Sequence, residues 1–198
     1  MLPKVIGLCG GSGSGKGVVG SFFAKNGFLV IDTDKVYREI TDNKSHCLDA
    51  LVCEFGAEIL TSEGGLNRRK IAEMVFSDKK RLYVLNSITH KFILDRVRSI
   101  IADSETDGYV GYIVDAPLLY ESGFDKECDF VIAVVSDINA RVERIIKRDS
   151  ISREAAINRI NSQTSDEYIS SLADFTLENN GDIESLEKSV NEIIKKIN

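Results

Sequence analysis

The chain has 198 residues, 43% hydrophobic and 28% charged, with 25 lysines and arginines against 31 acidic side chains. That length suits one α/β domain with room for a small insertion, and the net charge of −6 excludes nucleic-acid binding driven by overall charge. Four cysteines (Cys9, Cys47, Cys53, Cys128) show neither C-x-x-C nor zinc spacing, and no run of ~18 apolar residues or leader is visible. These features predict reduced, buried thiols in a cytoplasmic protein with no membrane segment.

The first predicted element is a strand at Val5–Leu8, which breaks into a glycine-rich loop ending in lysine. Gly10, Gly15 and Lys16 satisfy the G-x-x-x-x-G-K part of a Walker A loop. Glycines let successive amides turn inward as a nest for phosphate oxygens, the following helix adds its positive end, and Lys16 supplies a point charge. The pattern asks for Ser or Thr after the lysine, as a magnesium ligand, but Gly17 stands there. Two other readings compete. The loop could merely join a strand to a helix. Gly15, Gly17 and Gly20 also spell G-x-G-x-x-G, a dinucleotide fingerprint. That motif must start at the strand end, whereas here it would leave a surplus loop after Cys9 and no role for Lys16.

Further strands are expected at Phe28–Ile31, Tyr109–Val114, Phe130–Val135 and Phe175–Leu177, in continuous apolar runs that fit parallel strands buried on both faces. Helical patterns lie between them: Ser45–Phe55 running into Gly56, Arg68–Phe76 capped by Asn67, and a long amphipathic stretch from Asp78 to Ala102. Asp137 is expected to cap a helix through Lys147, Ser152 to start another, and Asp182 to cap a terminal helix ending near Lys196. The alternation predicts a doubly wound, five-stranded parallel sheet of the P-loop NTPase type, with its ligand crevice at the strand C-termini. It reads as one domain over 1–198, with a helical substrate-binding insertion at about 35–105 and a lid at about 141–165.

The strand ends carry the polar candidates. Ile31-Asp32-Thr33-Asp34 delivers two acids to the site, more than an N-cap needs, although Asp34 could cap a helix starting near Lys35. One of the two could orient a substrate hydroxyl or take its proton. Asp115 ends the third strand, where it could hold Mg²⁺ directly or through water or, alternatively, serve as a turn acid before Pro117. Leu118, Leu119 and Tyr120 suit packing, and in a crevice could also wall a ligand. Arg141, Arg144 and Arg148 fall on one side of a helix after the fourth strand. Such a run is by default a solvated face, but at this point of a small kinase it is where a lid brings arginines onto a transferring phosphoryl group. His46 reads as structural and His90 as ambiguous; two histidines assemble no hydrolytic triad or metal cluster.

Taken in order, Gly10–Lys16, Ile31–Asp34, Phe55-Gly56, Arg68-Arg69, His90, Asp115–Glu121, Arg144, Arg148-Asp149, Arg159-Ile160 with Gln163, and Ala173-Asp174 followed by Glu178–Gly181 resemble the dephospho-coenzyme A kinase family over nearly the whole chain. The resemblance implies transfer of the ATP γ-phosphate, with Mg²⁺, to the ribose 3′-hydroxyl of dephospho-coenzyme A. It implies Asp34, Lys16 and Arg144 as catalytic residues. ATP contacts would come from Gly11, Gly13, Ser14, Gly15, Lys16, Gly17, Val18, Arg144, Arg148 and Asn180, and the metal from Asp115, through water. Asp32, Asp34, His90, Leu118, Leu119, Glu121 and Arg159 would meet the acceptor substrate. The implied partners are these two small molecules, without nucleic acid or membrane, in a monomer or weak homo-oligomer. Two departures stand out: Gly17, and Lys91 after His90 where the family usually has proline. Rival readings are another small-molecule kinase of nucleoside type, or a nucleotide-binding protein without transferase activity.

Overall fold

The computed structural model describes residues 3–42, 44–76 and 78–197. The chain divides into two compact units, one formed by Met1–Ile31 with Glu105–Asn198 and the other by Asp32–Ser104.

The first unit carries the parallel sheet: β1 (Lys4–Cys9), β2 (Leu29–Asp32), β3 (Gly111–Asp115), β4 (Phe130–Val135) and β5 (Phe175–Glu178), in the order β2-β3-β1-β4-β5. β1 pairs in parallel with β3 and β4, and β4 with β5. The register sets Ile6 beside Ile113 and Leu8 beside Ile132, with Val134 beside Leu177. Because side chains alternate along a strand, these residues share one face. They pack there with Val19, Phe22 and Phe23 of helix α1 (Lys16–Lys25) and Leu186, Val190 and Ile193 of helix α10 (Ile183–Ile197). Burying a Phe as fully as Phe23 stabilises the fold by about 1.5–3 kcal/mol. The opposite face is also covered: a Cβ on Gly7 would run into the Leu119 side chain at 2.6 Å and Cys128 Sγ at 3.1 Å. Burial on both faces explains the unbroken apolar strands.

The chain leaves β1 toward β2 on one side of the sheet and leaves the neighbouring β3 toward β4 on the other. The loop after β1 therefore sits at the C-terminal sheet edge, at the topological switch point. Around it come α6 (Leu119–Ser122), α7 (Ile138–Asp149), α8 (Arg153–Asn161) and α9 (Asp166–Leu172). Val142 and Ile145 of α7 bury against Ala156 and Ile160 of α8, giving this helix pair its own small core.

The second unit is helical: α2 (Thr33–Asp42), α3 (His46–Phe55), a 3-10 turn at Ala57–Ile59, α4 (Arg68–Val75) and α5 (Lys79–Asp103). Its caps follow the sequence. Ser45 Oγ accepts from Leu48 N, Asn67 Oδ1 from Lys70 N, and Asp78 Oδ1 from Lys80 N and Arg81 N, all at 2.9–3.1 Å. Gly56 ends α3 with φ 89°. Leu51, Phe55, Ile59, Leu66 and Ile71 form the core, with Leu85, Ile88 and Phe92 of α5 against it.

Several boundaries move. The helical unit spans Asp32–Ser104 and is compact in itself. β3 starts at Gly111, not Tyr109, and α7 runs two residues past Lys147. α9, capped by Ser165 Oγ accepting from Tyr168 N at 3.2 Å, was not expected at all. Of the four cysteines, which all carry free thiols, Cys9 and Cys47 are buried as expected, but Cys53 is exposed. Burial pushes the Cys9 thiol up to about 12 and the Cys47 thiol to about 11.

Candidate phosphate-transfer site

The loop between β1 and α1 holds Gly13 at φ 78° and Gly15 at φ 100°, left-handed backbone that an L side chain resists. Space forbids a side chain as well. A Cβ on Gly13 would meet the Arg141 carbonyl at 2.6 Å, and one on Gly15 would overlap the Asn179 amide. Ser14 N donates to Gly11 O at 3.1 Å, closing the turn, and Gly15 caps α1 without any side-chain bond. Among the described residues, the amides of Gly13, Gly15, Lys16 and Gly17 find no protein acceptor. Four unused N–H groups at the positive end of a ten-residue helix match the donor set that a phosphate requires.

Lys16 forms an ion pair with Asp115, and both side chains are mostly buried. The cause lies in the sheet: Asp115 ends β3 in register with Leu8, one residue before β1 ends. Among the described residues no cluster of three or more His, Cys, Asp or Glu could cage a metal. A single carboxylate beside the phosphate loop still suits Mg²⁺, which keeps waters and substrate phosphates as its other ligands. Gly17 lies in the first turn of α1 with open space around its Cβ position, so no packing demand explains the missing hydroxyl. Val18, next to it, is 38% exposed. Residues 10–14 separate the end of β1 from Gly15, so the G-x-G-x-x-G glycines do not start at the strand end as a dinucleotide fingerprint requires.

The arginines expected in a lid divide. Arg144 donates to the carbonyls of Gly13 (3.0 Å) and Asn179 (2.9 Å) and to Ser136 Oγ (3.0 Å), so it braces the loop through its carbonyl side. Arg148, expected on ATP, grips Asp149 through Nε (2.8 Å) and Nη2 (2.9 Å). Arg159, expected on the acceptor substrate, also pairs with Asp149. Hydrogen bonds from Arg148, and then from Arg159, hold the Asp149 carboxyl down to about 2. Asn180 Oδ1 accepts from Asp137 N at 2.7 Å and Ser136 Oγ at 3.1 Å, fixing the start of α7.

Leu118 is 44% exposed, whereas Leu119 is wholly buried against the position of Gly7. The chain turns into α6 there and points the two adjacent side chains in different directions, Leu119 into the core. Glu121 is exposed and accepts from Thr164 Oγ1 at 2.7 Å.

In the helical unit, α2 begins at Thr33 and its cap is Asp32, not Asp34. Asp32 Oδ1 accepts from Asp34 N (3.0 Å) and Lys35 N (3.1 Å), which leaves the Asp34 carboxylate out of the cap, exposed in the first turn. His90 is half-buried on α5.

Arg141, Gln163 and Asn179, each of which the sequence singled out for the lid, the family pattern or the adenine turn, also brace the phosphate loop. Asn179, 8% exposed, donates from Nδ2 to Ser14 O at 2.7 Å. Arg141 and Gln163 both bond to Ser12. Gly11 and Gly15 are tight because Arg141 and Asn179 fill the adjoining space.

A parallel sheet, an amide-lined loop at its switch point and a lysine paired with a strand-end aspartate define an ATP-dependent kinase of the P-loop class. Residues 4–185 match the family described as dephospho-CoA kinase. The chain is 39% identical over 197 residues, covering all of both chains, to the dephospho-CoA kinase of Fusobacterium nucleatum. To that of Corynebacterium glutamicum it is 36% identical over 192 residues, 97% of this chain and 98% of that one. A crystal structure of a Thermus thermophilus protein superposes over all of both chains, with TM-score 0.83 and 28% identity. The chain belongs to the dephospho-CoA kinase family.

Proposed function

We propose that this protein transfers the γ-phosphoryl group of ATP to the 3′-hydroxyl of the ribose of dephospho-coenzyme A, giving coenzyme A and ADP. The observation that carries the reading is the set of four unused loop amides beside Lys16 and Asp115. Family membership selects the acceptor.

The amides of Gly13, Gly15, Lys16 and Gly17 bind phosphate oxygens, and Lys16 turns from Asp115 to the β- and γ-phosphates. Asp115 would hold Mg²⁺ there, which would neutralise charge on the phosphates. Asp34 takes the proton of the attacking hydroxyl as the new O–P bond forms and the bond to the ADP oxygen breaks. Asp34 rather than Asp32 has this role because the Asp32 carboxylate already satisfies two helix amides and pairs with Lys35 at 3.6 Å. Arg148 and Arg159 supply the lid's positive charge by exchanging Asp149 for the transferring group. His90, Leu118 and Glu121 remain candidate contacts for the acceptor.

No helix among the described residues is long and apolar enough to cross a membrane. The buried, protonated thiols of Cys9 and Cys47 fit a cytoplasmic location.

The test is ADP release from ATP with and without dephospho-coenzyme A, alongside a panel of nucleosides and small alcohols. Release that depends on dephospho-coenzyme A, with the product phosphorylated at the 3′ position, is the expected result. Equal or faster transfer to a nucleoside would assign a different acceptor.

A further inference from the structure

A loop containing several glycines has little intrinsic shape, so its conformation must be imposed from outside. Here the outside grip closes on one residue. The Ser12 carbonyl accepts from Arg141 Nε at 2.9 Å, the Ser12 amide donates to Gln163 Oε1 at 2.9 Å, and the Ser12 hydroxyl accepts from Gln163 Nε2 at 3.1 Å. Arg141 is itself held. Its Nη1 donates to Asp166 Oδ1 at 2.7 Å, its Nη2 to Gln163 Oε1 at 3.4 Å, and it is only 4% exposed. Any side chain on Gly11 would overlap the Arg141 guanidinium.

We propose that Arg141 and Gln163 are positioning residues for the ATP loop, fixing the Ser12 peptide so that the amides after it converge on phosphate. Gln163 turns the Ser12 amide away from the set left unused, and Arg141 holds the carbonyl of the same residue. Both come from the lid segment, Arg141 from the first turn of α7 and Gln163 from the connection between α8 and α9. Arg141 and Gln163 thereby tie both ends of this segment to the loop, and Arg148, Asp149 and Arg159 lie between the two anchors. This inference rests on the reading that the loop around Lys16 binds ATP.

The test compares Gln163→Met, which keeps the volume and loses every hydrogen bond, with Gln163→Glu. The glutamate retains an acceptor for Ser12 N, and the Ser12 hydroxyl can rotate to donate to its second oxygen. Steady-state kinetics are measured with each substrate varied in turn, together with equilibrium binding of ATP and of AMP. A displacement of about 1 Å at a phosphoryl-transfer site can cost ~10²-fold. Gln163→Met is therefore expected to lower kcat/KM for ATP by ~10- to 100-fold, and Gln163→Glu to recover it to within about threefold of wild type. Binding of AMP, which lacks the β- and γ-phosphates, and KM for dephospho-coenzyme A should change less than about twofold. Arg141→Lys, which keeps the charge opposite Asp166 but loses the directed Nε bond, should resemble Gln163→Met. Wild-type-like kinetics in Gln163→Met would overturn the proposal, as would an equal loss of AMP and ATP binding. Lys16→Ala, measured in parallel, tests the underlying reading separately: ATP binding that survives it locates the nucleotide elsewhere. Loss of ATP binding in Lys16→Ala with intact Gln163→Met removes only the positioning role.

Discussion

Replacing Gly17 by serine tests whether the absent hydroxyl matters to the metal. The substitution is structurally permitted, because no atom lies within 4 Å of the Cβ position and the residue is in α1. Serine is a better helix residue than glycine by roughly 0.3–0.5 kcal/mol, so in a chain of this size Tm should rise by about 1–2 °C. The hydroxyl adds a ligand next to Lys16 and Asp115, and the Mg²⁺ concentration for half-maximal rate should fall about tenfold, the scale of a well-placed coordination partner. Gly17→Ala is the control: it brings the helix gain without the oxygen, so its Tm should rise while its Mg²⁺ requirement stays put. The assay is initial-rate ADP release at fixed ATP and dephospho-coenzyme A over a series of free Mg²⁺ concentrations. Matching Mg²⁺ curves for the serine and alanine variants would refute the argument and place the ion beyond the reach of residue 17. A fall in Tm for both would refute the open-space premise.

Other expectations follow from single contacts. Asp34→Asn should reduce turnover ~10²-fold or more at nearly unchanged Tm and ATP affinity, since Asp34 is exposed and outside the cap; unchanged turnover would remove it from the mechanism. Asp32→Ala should instead cost about 1 kcal/mol of stability by uncapping α2, and Asp32→Asn should restore most of it in urea unfolding. Leu119→Ala should lower stability by about 2–5 kcal/mol, whereas Leu118→Ala should cost less than ~1 kcal/mol; equal effects would contradict their opposite burial. The Asp149 pairs have a defined pH window. An acid whose folded value is depressed favours its paired form above the ordinary value of ~4 and loses that preference as pH falls toward about 2. The Asp149 carboxyl carbon should therefore titrate near 2 by NMR, and move toward ~4 in Arg148→Met; a wild-type midpoint near 4 would mean the arginines are already detached.

How much was legible depends on how far a residue's partner lies along the chain. Asn67, Asp137 and Ser152 each cap a helix by bonding an amide two or three positions on, so sequence alone locates them. The same range explains why Asp32 and Asp34 were confused: both are acids at a helix start, and which one is the cap turns on whether α2 begins at Thr33 or Lys35. The strands and the loop were readable because one periodicity and one spacing encode them. The lid arginines were not. Arg141, Arg144 and Arg148 share a helix side, yet the first two brace the loop more than 100 residues away in sequence and the third pairs with its neighbour. No local rule separates them, because the outcome is set by where β4 places α7 against the loop. The glycines do carry a trace of it. Gly11, Gly13 and Gly15 are small less for the ligand's sake than because Arg141 and Asn179 press on them from behind. The loop's composition therefore encodes two demands at once, amides left open on one side and a close protein buttress on the other, and a motif search reads only the first.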